Sequence, residues 1–172
     1  IKHKKAIGYA ILILVLGMTY FYHQQQQQSR VDAMSLSALS TLISTNRSHE
    51  HRLASALYLI EKKPDTYYAD TGKLFLAKHH YDENDITTSI SILSELAEQA
   101  SSIATQDLAR IRLANIYFTE NNDNMANDLI DQLHYDSFKT LGGYLRAMNH
   151  QGNKIPDNIE LFKYLESTEP AL

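Results

Sequence analysis

Two residue pairs 37 positions apart constrain this chain more than any other feature. Leu76-Ala77 recurs as Leu113-Ala114, and twelve residues after each alanine stands another small residue, Ser89 and then Ala126. Further on, Leu93 and Leu96 are answered by Ile130 and Leu133. Small residues at the first two positions let antiparallel helices approach closely, and the large ones fill the space between hairpins. Ala56 lies 33 residues before Ser89, and Leu145-Arg146-Ala147 opens another unit 33 residues after Ala114. A hairpin of this kind cannot bury its apolar face alone, so the chain is expected to stack its hairpins.

The local pattern agrees. Three prolines and six glycines in 172 residues leave long stretches free to be helical. Val31, Met34, Ala38, Leu39 and Leu42 predict a helix to about Asn46, and Leu53, Ala56, Leu57 and Ile60 the next, closed before Pro64. A third helix carries Tyr67, Leu74, Ala77 and Tyr81 after an Asp65-Thr66 cap, and stops in Asp82-Glu83-Asn84-Asp85. A fourth holds Ile86, Ile90, Leu93 and Leu96, and a fifth Leu108, Ile111, Leu113, Ala114 and Tyr117. After the turn Asn121 to Asn124 come a sixth with Ala126, Leu129, Ile130 and Leu133, one from Phe138 to about His150, and one over 157–166. No stretch alternates with period two long enough for a strand. The fold is expected to be all-α, and it resembles a tetratricopeptide-like helical-hairpin solenoid.

The N-terminus carries a separate signal. Lys2, His3, Lys4 and Lys5 precede an uncharged apolar run, Ala6 to Tyr22. That run would span roughly 26 Å as a helix, close to a bilayer's hydrocarbon thickness. The sequence reads as a single-pass transmembrane helix over 6–23, with Ala6, Ile11, Leu14 and Val15 in the span and Tyr20 and Tyr22 at an interface. A cleaved signal peptide would need small residues before the cut, and Tyr-Phe-Tyr-His replaces them. The lysine bias would put residues 1–5 in the cytoplasm, with Gln24 to Gln28 as spacer and 29–172 as a domain facing the opposite compartment.

That domain carries 13 basic against 20 acidic residues, a formal charge of −7. Such a balance argues against nucleic-acid binding. Cysteine is absent, which removes disulfides, thiol nucleophiles and cysteine metal sites. His49-Glu50-His51 lacks the i, i+4 spacing of a zinc helix and reads as a solvated turn; His79 and His80 diverge similarly. No nucleophile elbow, phosphate-binding loop or calcium loop occurs. Gly142-Gly143 reads as a kink or a close helix contact. No catalytic constellation emerges.

Pro64-Asp65-Thr66-Tyr67-Tyr68-Ala69 leads into Leu74-Phe75-Leu76-Ala77-Lys78, followed by Ile111-Arg112-Leu113-Ala114, Phe138, Leu145-Arg146-Ala147 and Pro170-Ala171-Leu172. In that order, over about residues 6–172, the layout resembles the YfgM-like ancillary subunits of the bacterial SecYEG translocon. The resemblance implies a non-enzymatic, cofactor-free interaction subunit, single-pass in the bacterial inner membrane with its domain in the periplasm. Its implied partners are the SecYEG channel, a membrane-anchored PpiD-like chaperone, the membrane, and nascent exported chains. Another cell-envelope scaffold of helical-repeat type is the alternative. In tetratricopeptide repeats the first helix of each pair lines the groove, which would place Lys78, Tyr81, Asn115 and Phe118 against a partner.

Overall fold

The computed structural model describes the backbone of residues 2–151 and the side chains of 17–27 and 30–151. The described backbone forms seven helices: α1 (Lys2–Ile43), α2 (His49–Lys62), α3 (Tyr67–Asp82), α4 (Ile86–Gln99), α5 (Ile103–Thr119), α6 (Asp123–Asp131) and α7 (Asp136–His150). The helix expected over 157–166 lies outside these residues.

Each helix packs on the next up to α6, and α1 also meets α3 while α7 meets both α5 and α6. The core is accordingly three successive clusters: Leu42, Ala56 and Leu59 at one end; Ala77, Leu93, Leu96, Ala109 and Leu113 in the middle; Ile111, Ala114, Ala126, Ile130, Leu141 and Leu145 at the other. Stability spread over neighbouring interfaces is the mark of a solenoid. Five of the small repeat positions are buried, Ala56, Ala114 and Ala126 at 0 % exposure and Ala77 and Ser89 at 1 %, whereas Ala147, expected to open a further unit, is exposed and Leu145 is the buried residue there.

The turns repeat as faithfully as the helices. At the end of α3 the N–H groups of Glu83, Asn84 and Asp85 donate to the carbonyls of His79, Tyr81 and His80; at the end of α5, Glu120, Asn121 and Asn122 donate to Ile116, Phe118 and Tyr117. Every partner is displaced by 37. The 6→1 bond with a left-handed residue ahead of it is a Schellman closure, and Asn84 (φ 62°) and Asn121 (φ 58°) supply that residue. Asn and Asp tolerate this conformation better than other non-glycine residues. Asp85 then caps α4 and Ser102 caps α5, their side chains accepting from the N–H of Thr88 and Thr105. Thr66 stands at the N-cap of α3, but its hydroxyl donates back to the Lys63 carbonyl at 2.6 Å instead.

Glycine sets two close approaches. A Cβ on Gly72 would stand 2.7 Å from the Ala56 carbonyl oxygen, so α2 and α3 touch backbone to side-chain-free backbone. A Cβ on Gly142 would meet Ile130 Cγ2 at 2.5 Å, whereas nothing lies within 4 Å of one on Gly143. Of the Gly142-Gly143 pair only the first makes the close contact. Gly143→Ala is therefore expected to stabilise the chain by up to about 1 kcal/mol through helix propensity. Gly72→Ala gains the same propensity but is expected to destabilise by about 1–2 kcal/mol, since the obstacle is helix backbone. Urea unfolding of the two variants would show opposite signs; the same sign for both would contradict this account.

The N-terminal expectation is corrected. Among the described residues no helix is long and apolar enough to cross a membrane. The transmembrane helix over 6–23 and the single-pass inner-membrane placement built on it therefore do not stand. The apolar run does not end as a separate span: α1 continues unbroken across 23 and 28, through the glutamines and into the packed segment ending at Ile43. From Gly17 to Gln27 its side chains are exposed, with Met18, Tyr20, Phe21 and Tyr22 as the large apolar ones. Tyr20 and Tyr22 are exposed; Ala6, Ile11, Leu14 and Val15 lie outside the residues whose side chains are described. Two smaller expectations also change. Met34 faces out while Ser35 is buried, its hydroxyl returned to the Val31 carbonyl at 2.7 Å. His49 to His51 form the first turn of α2 rather than a turn before it.

Candidate partner-binding faces

Two buried carboxylates hold the hairpins in order. Asp70 in the first turn of α3 is 4 % exposed and accepts from Ser101, through its N–H at 2.7 Å and its hydroxyl at 2.6 Å. Ser101 lies between α4 and α5. Asp107 in α5 is fully buried and accepts from the N–H groups of His134 and Tyr135, each at 2.9 Å, between α6 and α7. Arg110 Nη1 at 3.1 Å and His134 Nδ1 at 3.0 Å complete its shell. Asp70 and Asp107 are again 37 apart, so each carboxylate reaches across its own hairpin and fixes the entry to the next. Burial pushes the Asp107 carboxyl up, but the N–H of Tyr135, the His134 imidazole and the His134 N–H outweigh it and hold the group below its ordinary range.

Between these anchors, α5 presents two different faces. At roughly 100° per residue, Arg112 and Asn115 fall on the side opposite Arg110, Leu113 and Tyr117. Arg112 turns toward α3, where its Nη1 donates to the Leu74 carbonyl at 3.2 Å. Its Nε is buried without a partner among the described residues, as is Asn115 Oδ1. Burial alone pushes the Arg112 guanidinium below its ordinary pKa, with no carboxylate among the described residues offsetting it. In an acidic chain that is a conspicuous omission, because buried cations are ordinarily paired.

The four expected groove residues do not form one open surface. Lys78 is exposed and bonds both Asp82 carboxylate oxygens at 2.9 and 3.0 Å. Asn115 is half-buried beside Arg112. Tyr81 packs against the middle core cluster, and Phe118, at 4 % exposure, belongs to the α5–α7 core. Arg112 was present in the quoted Ile111-Arg112-Leu113-Ala114 motif but carried no role there. The Asp70–Asp107 spacing was equally present and unread.

The histidines form a pair that their sequence positions conceal. His49 Nε2 and His79 Nδ1 lie 3.0 Å apart, bringing the start of α2 to the end of α3, and His80 Nδ1 lies 3.1 Å from Asp85. Among the described residues no group of three or more His, Cys, Asp or Glu is placed to hold a metal ion.

No curated protein and no solved structure matches the chain. A family model described as a tetratricopeptide repeat-like domain matches residues 4–146. With stacked hairpins, buried small positions and turns recurring at a fixed interval, the chain belongs to the tetratricopeptide repeat-like domain family.

Proposed function

We propose that the chain is a protein–protein interaction adaptor whose α3–α5 face takes a partner segment carrying a carboxylate. The observation behind this reading is Arg112, a largely buried guanidinium with one backbone acceptor and no counter-charge among the described residues. A partner carboxylate would supply the missing counter-charge at the part of this half-buried side chain that remains accessible.

This reading separates binding from stability. Arg112→Gln removes an uncompensated buried charge, so it is expected to leave unfolding free energy unchanged or raise it by about 1 kcal/mol. The same variant is expected to lose at least tenfold in partner affinity. If it unfolds the chain, or binds the partner as tightly as before, the face is structural.

The finer reading is association with the SecYEG translocon and a PpiD-like chaperone. It is supported by the resemblance carried by Pro64 to Lys78 and Ile111 to Ala114. Affinity purification with the chain as bait should recover SecY and the chaperone, and Arg112→Gln should release at least one of them. Recovery of neither would leave the adaptor reading with a different machinery as its partner.

A further inference from the structure

The opposite face of α5 carries a second feature that the Arg112 site does not use. Between α4 and α6, with α5 as floor, lies a cleft of about 270 Å³. Its apolar lining comes from Ala97, Leu113, Tyr117, Met125 and Leu129, and Met125 is 46 % exposed. Glu98 on α4 and Asp128 on α6 stand on its two walls, both exposed and neither in an ion pair among the described residues. The one cation in the lining, Arg110, is already engaged by buried Asp107. The cleft thus offers an apolar floor between two unpaired carboxylates.

We infer that this cleft docks a basic-apolar segment of a partner protein, a large aliphatic or aromatic side chain entering between Tyr117 and Met125 with lysine or arginine flanking it. The volume suits one or two such side chains, and methionine at the mouth adapts to their shape. The choice of occupant rests on charge complementarity: Glu98 and Asp128 favour cationic flanks and disfavour acidic ones. The inference rests on the adaptor reading, and it gives the adaptor a second binding face of opposite charge preference. One face of α5 selects a carboxylate through Arg112, and the other selects cations through Glu98 and Asp128. A chain with both bridges two partners instead of capping one.

The test uses labelled synthetic peptides and the whole chain. One twelve-residue peptide carries leucines flanked by lysines, a second has every lysine replaced by glutamate, and a third has every leucine replaced by alanine. The first should bind, and each of the other two should bind at least tenfold more weakly at physiological salt. Glu98→Lys with Asp128→Lys should weaken the first peptide at least tenfold. Glu83→Lys with Glu120→Lys changes net charge equally, at exposed helix C-caps that do not line the cleft, and should leave it unaffected. Arg112→Gln should also leave it unaffected, so failure here and failure of the Arg112 reading are told apart. Equal losses in the two lysine pairs would reveal unspecific charge attraction and overturn the inference. So would a concentration-dependent dimer that Glu98→Lys with Asp128→Lys dissolves while the peptide fails to bind, since the occupant would then be a second copy.

Discussion

Asp107→Ala is expected to destabilise the chain by about 3–5 kcal/mol, the range for removing one member of a buried charged network. The loss is large because four donors converge on one side chain with no exposure. Alanine would strand the N–H groups of His134 and Tyr135, which open α7, and leave Arg110 unpaired. Urea unfolding of the whole chain measures it; a cost below about 1 kcal/mol would mean the carboxylate is replaceable by water. The group also makes stability pH-dependent. Its folded pKa is depressed, so the unfolded chain binds the extra proton. Its contribution is fully present above the unfolded value of about 3.9 and is lost as pH falls through the lower folded value. Asp107→Asn should remove that acid limb, giving a flatter stability profile below about pH 4 than the parent.

Leu145→Ala is the second large effect, expected at about 2–5 kcal/mol. Leu145 is at 0 % exposure among Ile111, Ala114, Ile130 and Leu141, and it pins α7 to the rest of the stack. The spread in the estimate reflects how far the site can collapse, and Gly142 against Ile130 leaves α7 little room to move inward. Because the hairpins couple to neighbours only, the damage should be local. Hydrogen exchange should accelerate in α7 and α6 while α2 and α3 keep their protection. Uniform acceleration along the chain would show a single cooperative core instead.

The helices were legible because each carries its own evidence. Apolar spacing marks α2 to α7 within a few residues, and Asn84, Asn121, Asp85 and Ser102 punctuate them with turn and cap chemistry. The buried small positions were legible too, since an interval of 37 is visible without knowing any contact. The N-terminal run was misjudged: its hydropathy and flanking charge suggested a span, but among the described residues no helix is long and apolar enough to cross a membrane. Phe118 and Tyr81 were drawn toward the surface by a generic groove template. In the structure the α5–α7 packing claims Phe118, and the middle cluster claims Tyr81.

Alone, the sequence determined the type of element, the hairpin turns and the stacking interval. All three depend on residues close together in the chain, or on a spacing that repeats. Tertiary structure alone decided which polar groups became special. Asp70 and Asp107 look like ordinary helical acids until Ser101 and His134-Tyr135 arrive from about 30 residues away. Arg112 looks like any solvated arginine until α3 covers it and, among the described residues, no carboxylate pairs with it. Glu98 and Asp128 share a cleft only because α4 and α6 flank one helix. The reason is physical: a polar side chain's role is set by its desolvation and by the partners it meets, and both come from residues distant in sequence.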